Sequence, residues 1–314
     1  MSLCTNQISS TSTMPSTSME SSESAYKTCF RHDLMEHKVA LVTGGGTGIG
    51  RAIALELASI GATVVIASRT VETCRIAAYE MNNAIQRMNL KGRVVVGPST
   101  TLRTESAIQA LIAHVVSTYG ALHMVVNNAG GQFVCPAADM SMKGFSAVVD
   151  TNLLGTFLVC REAYTQYMRD NGGSIVNITL GNRNGMPQMV HSGAARAGVE
   201  NMTATLCTEW MESSVRINCV RPGIIWTESG FANYGPAGDY FVQKILPTIP
   251  AKRFGSPEEI ASATVWLLSE GASYVTGTVL SVDGGSAYTF LPLVEIQDTC
   301  HLPVYGNLPN QAKL

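Results

Sequence analysis

Charged residues are scarce in this chain, and no run of basic residues occurs. Its 314 residues include 21 Lys and Arg against 23 Asp and Glu, which gives a formal net charge of −2. Nucleic-acid binding depends on clustered positive charge, so we expect no nucleic-acid partner. Hydrophobic residues make up 46% of the chain and charged residues 14%. This composition predicts a folded protein with a sizeable core.

Long apolar runs and paired cysteines are also absent. No apolar run approaches the ~20 residues that span a bilayer, so we expect no membrane-spanning segment. The eight cysteines are scattered, and no two of them form a C-x-x-C pair. Scattered cysteines fit reduced thiols in an intracellular compartment and argue against a disulfide framework or a zinc site. We therefore expect no bound metal.

The ends of the chain differ in composition from its middle. Residues 1–36 are rich in Ser and Thr and poor in aliphatic residues, which predicts a disordered tail. A mitochondrial transit peptide is the alternative, but it would require arginines and few acids, whereas two glutamates precede the first arginine, Arg31. We expect one domain over residues 37–288 and a C-terminal tail over residues 289–314.

Short apolar runs alternate with helical patterns through the expected domain. The first run is followed by glycines and then by an apolar helical face. Strands that alternate with helices indicate βαβ units, so the expected fold is α/β: a single doubly wound, Rossmann-type domain with a seven-stranded parallel sheet flanked by helices. The predicted strands are Val39–Val42, Val64–Ala67, Val94–Val96, Leu122–Val126, Ser174–Ile178, Val215–Val220 and Val279–Val282.

A glycine-rich motif stands where the first predicted strand gives way to a helix. The motif is Thr43-Gly44-Gly45-Gly46-Thr47-Gly48-Ile49-Gly50. Gly44 permits a tight turn, Gly48 lets the backbone approach a pyrophosphate, and Gly50 lets helix and strand pack closely. The N–H groups of the helix start then face the phosphates, so the motif predicts dinucleotide binding. A glycine-rich turn without a ligand is the alternative.

The end of the second predicted strand indicates which dinucleotide is bound. In this fold an Asp or Glu there accepts a hydrogen bond from the adenosine ribose and selects NAD. This strand ends in Ser68-Arg69 instead, and a hydroxyl with a guanidinium suits a 2′-phosphate. We therefore expect NADP(H) as the cofactor. An ordinary surface charge is the alternative for Arg69.

Further motifs follow in order and carry a family resemblance. They are Asn127-Asn128-Ala129-Gly130, Asn152 in Asp150-Thr151-Asn152-Leu153, Pro222-Gly223 and Asp283-Gly284-Gly285. With the glycine-rich motif they resemble the short-chain dehydrogenase/reductase family over about residues 37–288. The resemblance implies cofactor contacts from Asn128, Ala129 and Gly130 and, at the nicotinamide carboxamide, from Pro222, Gly223, Ile224 and Thr227.

The usual catalytic set of that family is replaced. A Ser after the fifth strand and a Tyr-x-x-x-Lys pattern on the next helix are usual, but this chain has Leu180, Ser192 and Arg196 at those positions. A guanidinium stays protonated, and a serine hydroxyl is a poorer acid than a phenol. Ketone–alcohol chemistry needs a proton donor at the carbonyl oxygen, so these replacements do not favour it.

A resemblance to a smaller group of enzymes accounts for the replaced catalytic residues. Several segments are similar to the peroxisomal trans-2-enoyl-CoA reductases, and the peroxisomal 2,4-dienoyl-CoA reductases share the loss of the Tyr. In the first group a Tyr after the Ala-Gly-Val step has been proposed as proton donor, but Glu200 stands there in this chain. The segments are Asn128–Phe133, Val190–Val199, Pro250–Arg253 and Ala312–Leu314.

Reduction of a conjugated thioester by hydride from NADPH places negative charge on the thioester oxygen, so the site needs preorganised donors. We expect Asn152, Ser192 and Arg196 to supply them as catalytic residues. By the resemblance, Arg196 also holds the nicotinamide ribose. The alternatives are a helix-kink hydrogen bond for Asn152 and a helix cap for Ser192.

Other residues of the same predicted helix have structural interpretations. Glu200 lies four residues after Arg196, so we expect the two side chains to pair. His191 is interpreted as a packed or exposed histidine rather than a phosphate ligand or proton relay. The apolar stripe on this helix predicts core or a subunit contact; it consists of Val199, Met202, Leu206 and Trp210.

The preferred hypothesis is NADPH-dependent reduction of trans-2-enoyl-CoA thioesters to saturated acyl-CoA. A 2,4-dienoyl-CoA or carbonyl reductase of the same fold and a non-catalytic NADP-binding protein are the alternatives. The resemblance also implies a homotetramer and a mobile lid over Phe231–Pro250, whose aromatic and apolar residues suit an acyl chain.

The last three residues predict a targeting signal. Ala312-Lys313-Leu314 varies the Ser-Lys-Leu peroxisome signal. On an exposed tail it would be read by the peroxisomal import receptor. We therefore expect a peroxisomal protein with that receptor as a partner.

Overall fold

The computed structural model describes residues 27–181, 185–227, 241–288, 302–309 and 312. The strands in these ranges are β1 (Val39–Thr43), β2 (Thr63–Ala67), β3 (Arg93–Val96), β4 (Met124–Asn127), β5 (Gly173–Ile178), β6 (Val215–Pro222) and β7 (Val279–Val282). They form one seven-stranded parallel sheet in the order β3-β2-β1-β4-β5-β6-β7. The expected α/β, Rossmann-type fold is confirmed, and six of the seven strands differ from the expected ranges by one or two residues at one or both ends.

Helices cover both faces of the sheet. They are α1 (Gly48–Ser59), α2 (Val71–Arg87), α3 (Glu105–Tyr119), α4 (Met142–Val149), α5 (Gly155–Ala163), α6 (Arg169–Asn171), α7 (Val190–Glu209) and α8 (Pro257–Leu268). Alternate side chains of a strand point to opposite faces, so Val42 joins one buried cluster and Leu41 the other. In the described ranges, no helix is long and apolar enough to cross a bilayer.

The order of the strands reverses at β1, which pairs with β2 on one side and β4 on the other. In such sheets ligands bind in the crevice outside the carboxyl ends of the strands at this point. The glycine-rich motif follows β1, and the segment from Asn128 to Gly130 follows β4. The fold therefore brings these two distant sequence motifs to one crevice.

The N-terminal boundary of the folded body lies earlier than expected. Thr28 donates a hydrogen bond to the buried carboxylate of Glu56 at 2.7 Å, and Met35 is buried. Tyr305, from the expected C-terminal tail, donates to the same carboxylate at 3.1 Å. Residues 27–36 therefore pack on the domain, because Glu56 offers a buried acceptor to both terminal segments. Residues 1–26 of the expected tail lie outside the described residues.

Ala312 is fully buried, and the expectation of an exposed tail is wrong at this residue. Its carbonyl accepts a hydrogen bond from the N–H of Phe254 at 3.1 Å, and its side chain joins a small apolar cluster with Leu246 and Ile249. The first residue of the expected peroxisome signal is thus part of the folded body. Lys313 and Leu314 lie outside the described residues.

Candidate active site

The crevice at the strand reversal is a cleft of about 610 Å³. Most of the residues expected to bind the cofactor line it: Thr43, Gly44, Thr47, Gly48, Ile49, Ser68, Arg69, Asn128, Ala129, Gly130 and Thr227. The other expected residues, Gly50, Arg196, Pro222, Gly223 and Ile224, do not line this cleft. Sequence motifs up to 184 residues apart (Thr43 to Thr227) therefore form one continuous wall.

The glycine-rich turn is shaped by its glycines. Gly44 and Gly48 have φ of 66° and 50°, in the left-handed region where a side chain is strained. A Cβ on Gly50 would stand 2.3 Å from Asn128 Nδ2 and 2.4 Å from the Gly44 carbonyl oxygen. Thr47 is the N-cap of α1, yet its side chain makes no capping hydrogen bond, so the first N–H groups of α1 are left for another acceptor. This cradle fits a pyrophosphate.

Thr43 and Asn128 join the loops after β1 and β4. The buried Thr43 hydroxyl accepts hydrogen bonds from the N–H groups of Asn128 and Ala129 at 3.1 Å each, and it donates to the Val126 carbonyl at 3.3 Å. Asn128 Nδ2 donates to the carbonyls of Thr43 and Gly44 at 3.1 and 3.2 Å. These bonds hold the two halves of the cleft floor in one fixed geometry.

The far end of the cleft carries positive charge. Arg69 is exposed there, and Arg103, which sequence reasoning missed, also lines the cleft. No Asp or Glu is among the described residues that line it. The Ser68 hydroxyl donates to the Thr70 carbonyl at 2.9 Å, so Ser68 shapes the loop, and Arg69 is the better phosphate ligand. A basic, acid-free end fits a 2′-phosphate.

Arg103 would have been hard to find from the sequence, because nothing in its spacing from the glycine-rich motif marks it. The third strand and its loop bring it to the cleft, where it donates to the Thr151 hydroxyl at 2.9 Å and to the Ala147 carbonyl at 2.8 Å. The guanidinium is thereby fixed against α4 and the turn that follows.

Arg196 is a buried cation beneath the cleft. Its Nη1 donates to the Ile178 carbonyl at 2.8 Å. Among the described residues, its Nε has no hydrogen-bond partner and no carboxylate pairs with the guanidinium. Burial lowers the pKa of this guanidinium to about 10, so it stays protonated at neutral pH. A Cβ on Gly130 would stand 2.1 Å from Nη2, so the glycine lets the charge approach the cleft floor.

Asn152 lies in a π-helical turn, Asp150–Leu154, between α4 and α5. Its Nδ2 donates to the Gly131 carbonyl, and its Oδ1 accepts from the Gly131 N–H, both at 2.9 Å. Through these two bonds the buried amide holds the loop after β4, and they use one of the two N–H donors of Nδ2. The side-chain hydrogen bonds run to a distant loop rather than to the kinked helix itself, and the catalytic role of Asn152 stays a prediction.

Ser192 lies in the first turn of α7 but does not cap it, because Met189 is the N-cap. The fully buried Ser192 hydroxyl donates to Gln132 Oε1 at 2.7 Å, and Gln132 lines the cleft. The helix-cap alternative is therefore excluded. Ser192 instead connects α7 to the loop after β4.

Glu200 does not pair with Arg196, contrary to expectation. Its carboxylate accepts two hydrogen bonds from Arg221 on β6, at 2.9 and 2.6 Å, and a third from the Thr179 hydroxyl at 3.1 Å. This pairing raises the pKa of Arg221. Glu200 therefore binds a bidentate partner on the adjacent strand instead of its neighbour on the same helix.

The remaining residues expected in or near the site lie outside the group formed by Asn152, Ser192 and Arg196. Leu180 follows β5 where the family has its Ser. Gly223 donates its N–H to the Val282 carbonyl at 3.0 Å, and Ile224 lines a second, smaller cavity. The first part of the expected lid, residues 231–240, lies outside the described residues. The apolar stripe of α7 is largely core, since Val199, Leu206 and Trp210 are buried.

No group of His, Cys, Asp and Glu in the described ranges is arranged to hold a metal ion. The site instead combines a glycine cradle for phosphates, an arginine-lined end and a buried guanidinium. Together with the sheet topology, these features define a Rossmann-type oxidoreductase that binds a nicotinamide cofactor.

Comparisons with known proteins identify the family of this chain. A family model described as enoyl-(acyl carrier protein) reductase matches residues 44–287. The chain belongs to the short-chain dehydrogenase/reductase family, as the sequence motifs predict.

Relatives cover most of the chain. A peroxisomal 2,4-dienoyl-CoA reductase of Pongo abelii is 39% identical over 268 residues, which are 85% of this chain and 89% of the relative. An uncharacterised oxidoreductase of Escherichia coli (strain K12) is 38% identical over 253 residues, covering 79% and 99%. Among solved structures, a citronellol catabolism dehydrogenase of Pseudomonas aeruginosa PAO1 is similar with a TM-score of 0.72 and 42% identity, covering 83% of this chain and 100% of that one.

Proposed function

We propose that this chain is an NADPH-dependent reductase of conjugated acyl-CoA thioesters. One observation carries the proposal: where the family has a phenol and an ammonium group, this site has Ser192 and the buried Arg196, which no described carboxylate neutralises. Such a cation stabilises a developing oxyanion by its charge without protonating it. Conjugate reduction requires this stabilisation, because negative charge develops on the thioester oxygen.

Two thioesters are candidate substrates. The sequence resemblance favours a trans-2-enoyl-CoA, which would yield a saturated acyl-CoA. The relatives in Pongo abelii and Saccharomyces cerevisiae are named 2,4-dienoyl-CoA reductases, and their names favour the dienoyl alternative. Both substrates present the same thioester oxygen to the site and differ in the length of the conjugated chain, so one set of donors serves either reduction.

Different residues of the site would hold different parts of the cofactor and the substrate. The cradle around Gly44 and Gly48 would hold the pyrophosphate, Arg69 the 2′-phosphate, and Arg196 the nicotinamide ribose and the charge of the thioester oxygen. When bound, NADPH supplies a hydride to the conjugated carbon chain. Asn152 keeps the loop after β4 in place through its two bonds to Gly131.

The proposal is tested by following NADPH oxidation with trans-2-decenoyl-CoA, a 2,4-dienoyl-CoA and a ketone in parallel. We expect turnover of at least one thioester and slower or no turnover of the ketone. Saturable NADPH binding without turnover of any of the three would contradict the proposal and favour a non-catalytic NADP-binding protein.

The cofactor assignment predicts a change of preference in Arg69→Asp. The carboxylate would repel the 2′-phosphate and accept a hydrogen bond from the ribose of NADH. We expect NADPH affinity to fall by about tenfold or more while NADH affinity is kept or rises, measured by cofactor fluorescence titration. Arg75→Asp, at an exposed arginine of α2 that does not line the cleft, is the matched control. Unchanged NADPH affinity in Arg69→Asp would refute the phosphate contact.

We also propose that the protein acts in peroxisomes through Ala312-Lys313-Leu314, because relatives of this chain are named peroxisomal. The burial of Ala312 means that the tail must leave its apolar cluster before the import receptor reads it. Import of the full chain into peroxisomes, and its loss when Leu314 is deleted, would support this peroxisomal targeting.

A homotetramer remains the expected assembly. Sedimentation velocity of the purified chain at several concentrations measures it directly, and a stable monomer would contradict it.

A further inference from the structure

The described C-terminal residues, 302–309 and Ala312, pack on the folded body and are called the C-terminal strap below. Tyr305 is bonded at two points. Its hydroxyl donates to the buried Glu56 carboxylate at 3.1 Å, and its backbone carbonyl accepts a hydrogen bond from the buried Ser256 hydroxyl. Because Glu56 belongs to α1 and Ser256 is the N-cap of α8, these bonds fix the strap to two helices.

Gly306 lets the strap lie close to α8. Its φ is 92°, in the left-handed region that favours glycine. A Cβ at this position would stand 2.5 Å from Glu258 Oε2 and 2.6 Å from Glu258 Cβ, so a larger residue requires the strap to move. Arg253 adds a polar contact, since its Nη2 donates to the Pro303 carbonyl at 3.2 Å. Several independent contacts therefore specify the docked position of the strap.

The strap is connected to the part of the chain that is expected to hold the nicotinamide. The Ala312 carbonyl accepts a hydrogen bond from the Phe254 N–H at 3.1 Å. The next residue, Gly255, donates its N–H to the Ile224 carbonyl at 2.9 Å and accepts a hydrogen bond from the Trp226 N–H at 2.8 Å. Two hydrogen-bonded steps thus join Ala312 to Ile224, one of the residues expected to contact the cofactor.

Apolar packing follows the same route. Phe254 is fully buried, and its ring stacks on that of Trp226 with 6.1 Å between the ring centroids. Ile224 and, from the strap, Leu308 pack against the apolar cluster that contains Phe254. Thr227, the residue after Trp226, lines the cofactor cleft. Since closely packed interiors transmit small displacements, a continuous physical path connects the strap with the cleft wall.

We propose that docking of the C-terminal strap and binding of the nicotinamide cofactor reinforce each other. The inference rests on the proposed binding of NADP(H) in the cleft. The docked strap holds Phe254 and Gly255, which in turn hold residues 222–227 in the position that receives the nicotinamide. By linkage, a cofactor that favours this position also favours the docked strap by the same factor. No described residue of the strap lines the cleft, so its residues are positioning residues.

The first test uses the unmodified full chain with and without saturating NADP⁺. Hydrogen exchange is followed by NMR at the N–H groups of Phe254 and Ala312, which donate to the Ala312 and Pro309 carbonyls. Neither residue lines the cleft, so NADP⁺ does not shield these groups directly. We expect exchange at both to slow by about fivefold or more. The Gly120 N–H, bonded to Val116 at the end of α3, is the internal control. Slowing no greater than at Gly120 overturns the coupling.

Gly306→Ala tests the reverse direction. Its methyl group meets Glu258 at a positive φ, so we expect the strap to be displaced while every residue of the cleft is kept. The Phe254 N–H should then exchange faster, and the Kd of NADPH should rise by about fivefold or more in a fluorescence titration.

Gly120→Ala is the matched control for backbone strain. Residue 120 also has a positive φ, 72°, but a Cβ there meets nothing within 4 Å. The variant therefore carries similar strain without displacing the strap, and we expect its NADPH Kd to stay within about twofold of that of the unmodified chain.

Two results distinguish the ways in which the inference can fail. Faster exchange at Phe254 in Gly306→Ala, with an NADPH Kd within about twofold of the unmodified chain, would show that the strap does not act on the cleft and would overturn the inference. If Gly306→Ala does not fold or leaves the strap docked, the exchange measurement on the unmodified chain decides alone. Failure of the proposed function looks different, because the unmodified chain then shows no saturable binding of NADPH or NADP⁺.

Discussion

At the scale of single residues, the site depends on how closely side chains approach the backbone of the cleft floor. Gly130 shows this best. The Arg196 guanidinium lies where a Cβ of residue 130 would be, and Asn152 Oδ1 lies 3.0 Å from the same point. Because Gly130 lines the cleft, its missing side chain lets the buried charge lie close behind the cleft floor.

Gly130→Ala is therefore expected to damage the site more than the fold. The new methyl group would stand 2.1 Å from Arg196 Nη2, so either the guanidinium or the loop after β4 must shift. We expect turnover to fall by about tenfold or more, since a small misplacement of a positioned group is costly. Steady-state kinetics measures the loss and thermal melting the fold. Gly271→Ala, at a remote turn after α8, should leave turnover intact; an active Gly130→Ala would contradict the close approach.

At the scale of elements, α7 is fixed to the sheet by the ion pair between Glu200 and Arg221. The side chains are 14% and 9% exposed, so neither charge has much water to replace its partner. The pair lies one helical turn beyond Arg196 and thereby sets the position of α7 against β6. Removing one member of a buried pair leaves the other charge uncompensated.

Arg221→Met is expected to destabilise the fold by about 3–5 kcal/mol, because it leaves the Glu200 carboxylate buried without its cation. The urea midpoint of unfolding measures this change. Arg75→Met breaks the exposed pair with Glu72 and is the matched control, for which we expect little change in the midpoint. Equal midpoints for the two variants would show that the Glu200–Arg221 pair does not stabilise the fold.

At the scale of the whole molecule, stability depends on pH through His123. This residue precedes β4, and its Nδ1 accepts the Val39 N–H at 3.0 Å. Burial and, to a smaller extent, the charge of Lys38 lower its pKa below 6.5. The unfolded chain therefore takes up the proton first as pH falls. The stabilising contribution of neutral His123 is complete above pH 6.5 and is lost as pH falls through 6.5 toward the lower folded value.

His123→Asn is expected to make the melting temperature less sensitive to acid. Asn Oδ1 can accept the Val39 N–H in place of Nδ1 but does not titrate. Between about pH 7.5 and about pH 5.5, Tm should fall by less in the variant than in the unmodified chain. The same comparison for His114→Gln serves as control. An identical pH dependence of Tm in His123→Asn would assign the acid sensitivity to other groups.

Much of the molecule is determined locally by its sequence. Buried, β-branched strands separated by amphipathic helices dictate a parallel sheet, because only helices returning over both faces can cover such strands. Gly44 and Gly48 dictate the phosphate turn, because other residues are strained at positive φ. These features follow from short stretches of chain, and they sufficed to predict the fold and the glycine-rich part of the cleft.

The tertiary structure decided the partners of the polar groups. Helical spacing placed Glu200 beside Arg196, but β6 brought Arg221 to the same carboxylate from 21 residues away in sequence. Asn152 and Ser192 likewise bond to a loop that only the sheet brings near them. Spacing along the chain sets which residues share a helix face, whereas a hydrogen bond needs two groups within about 3 Å, and only packing of the whole chain sets that distance.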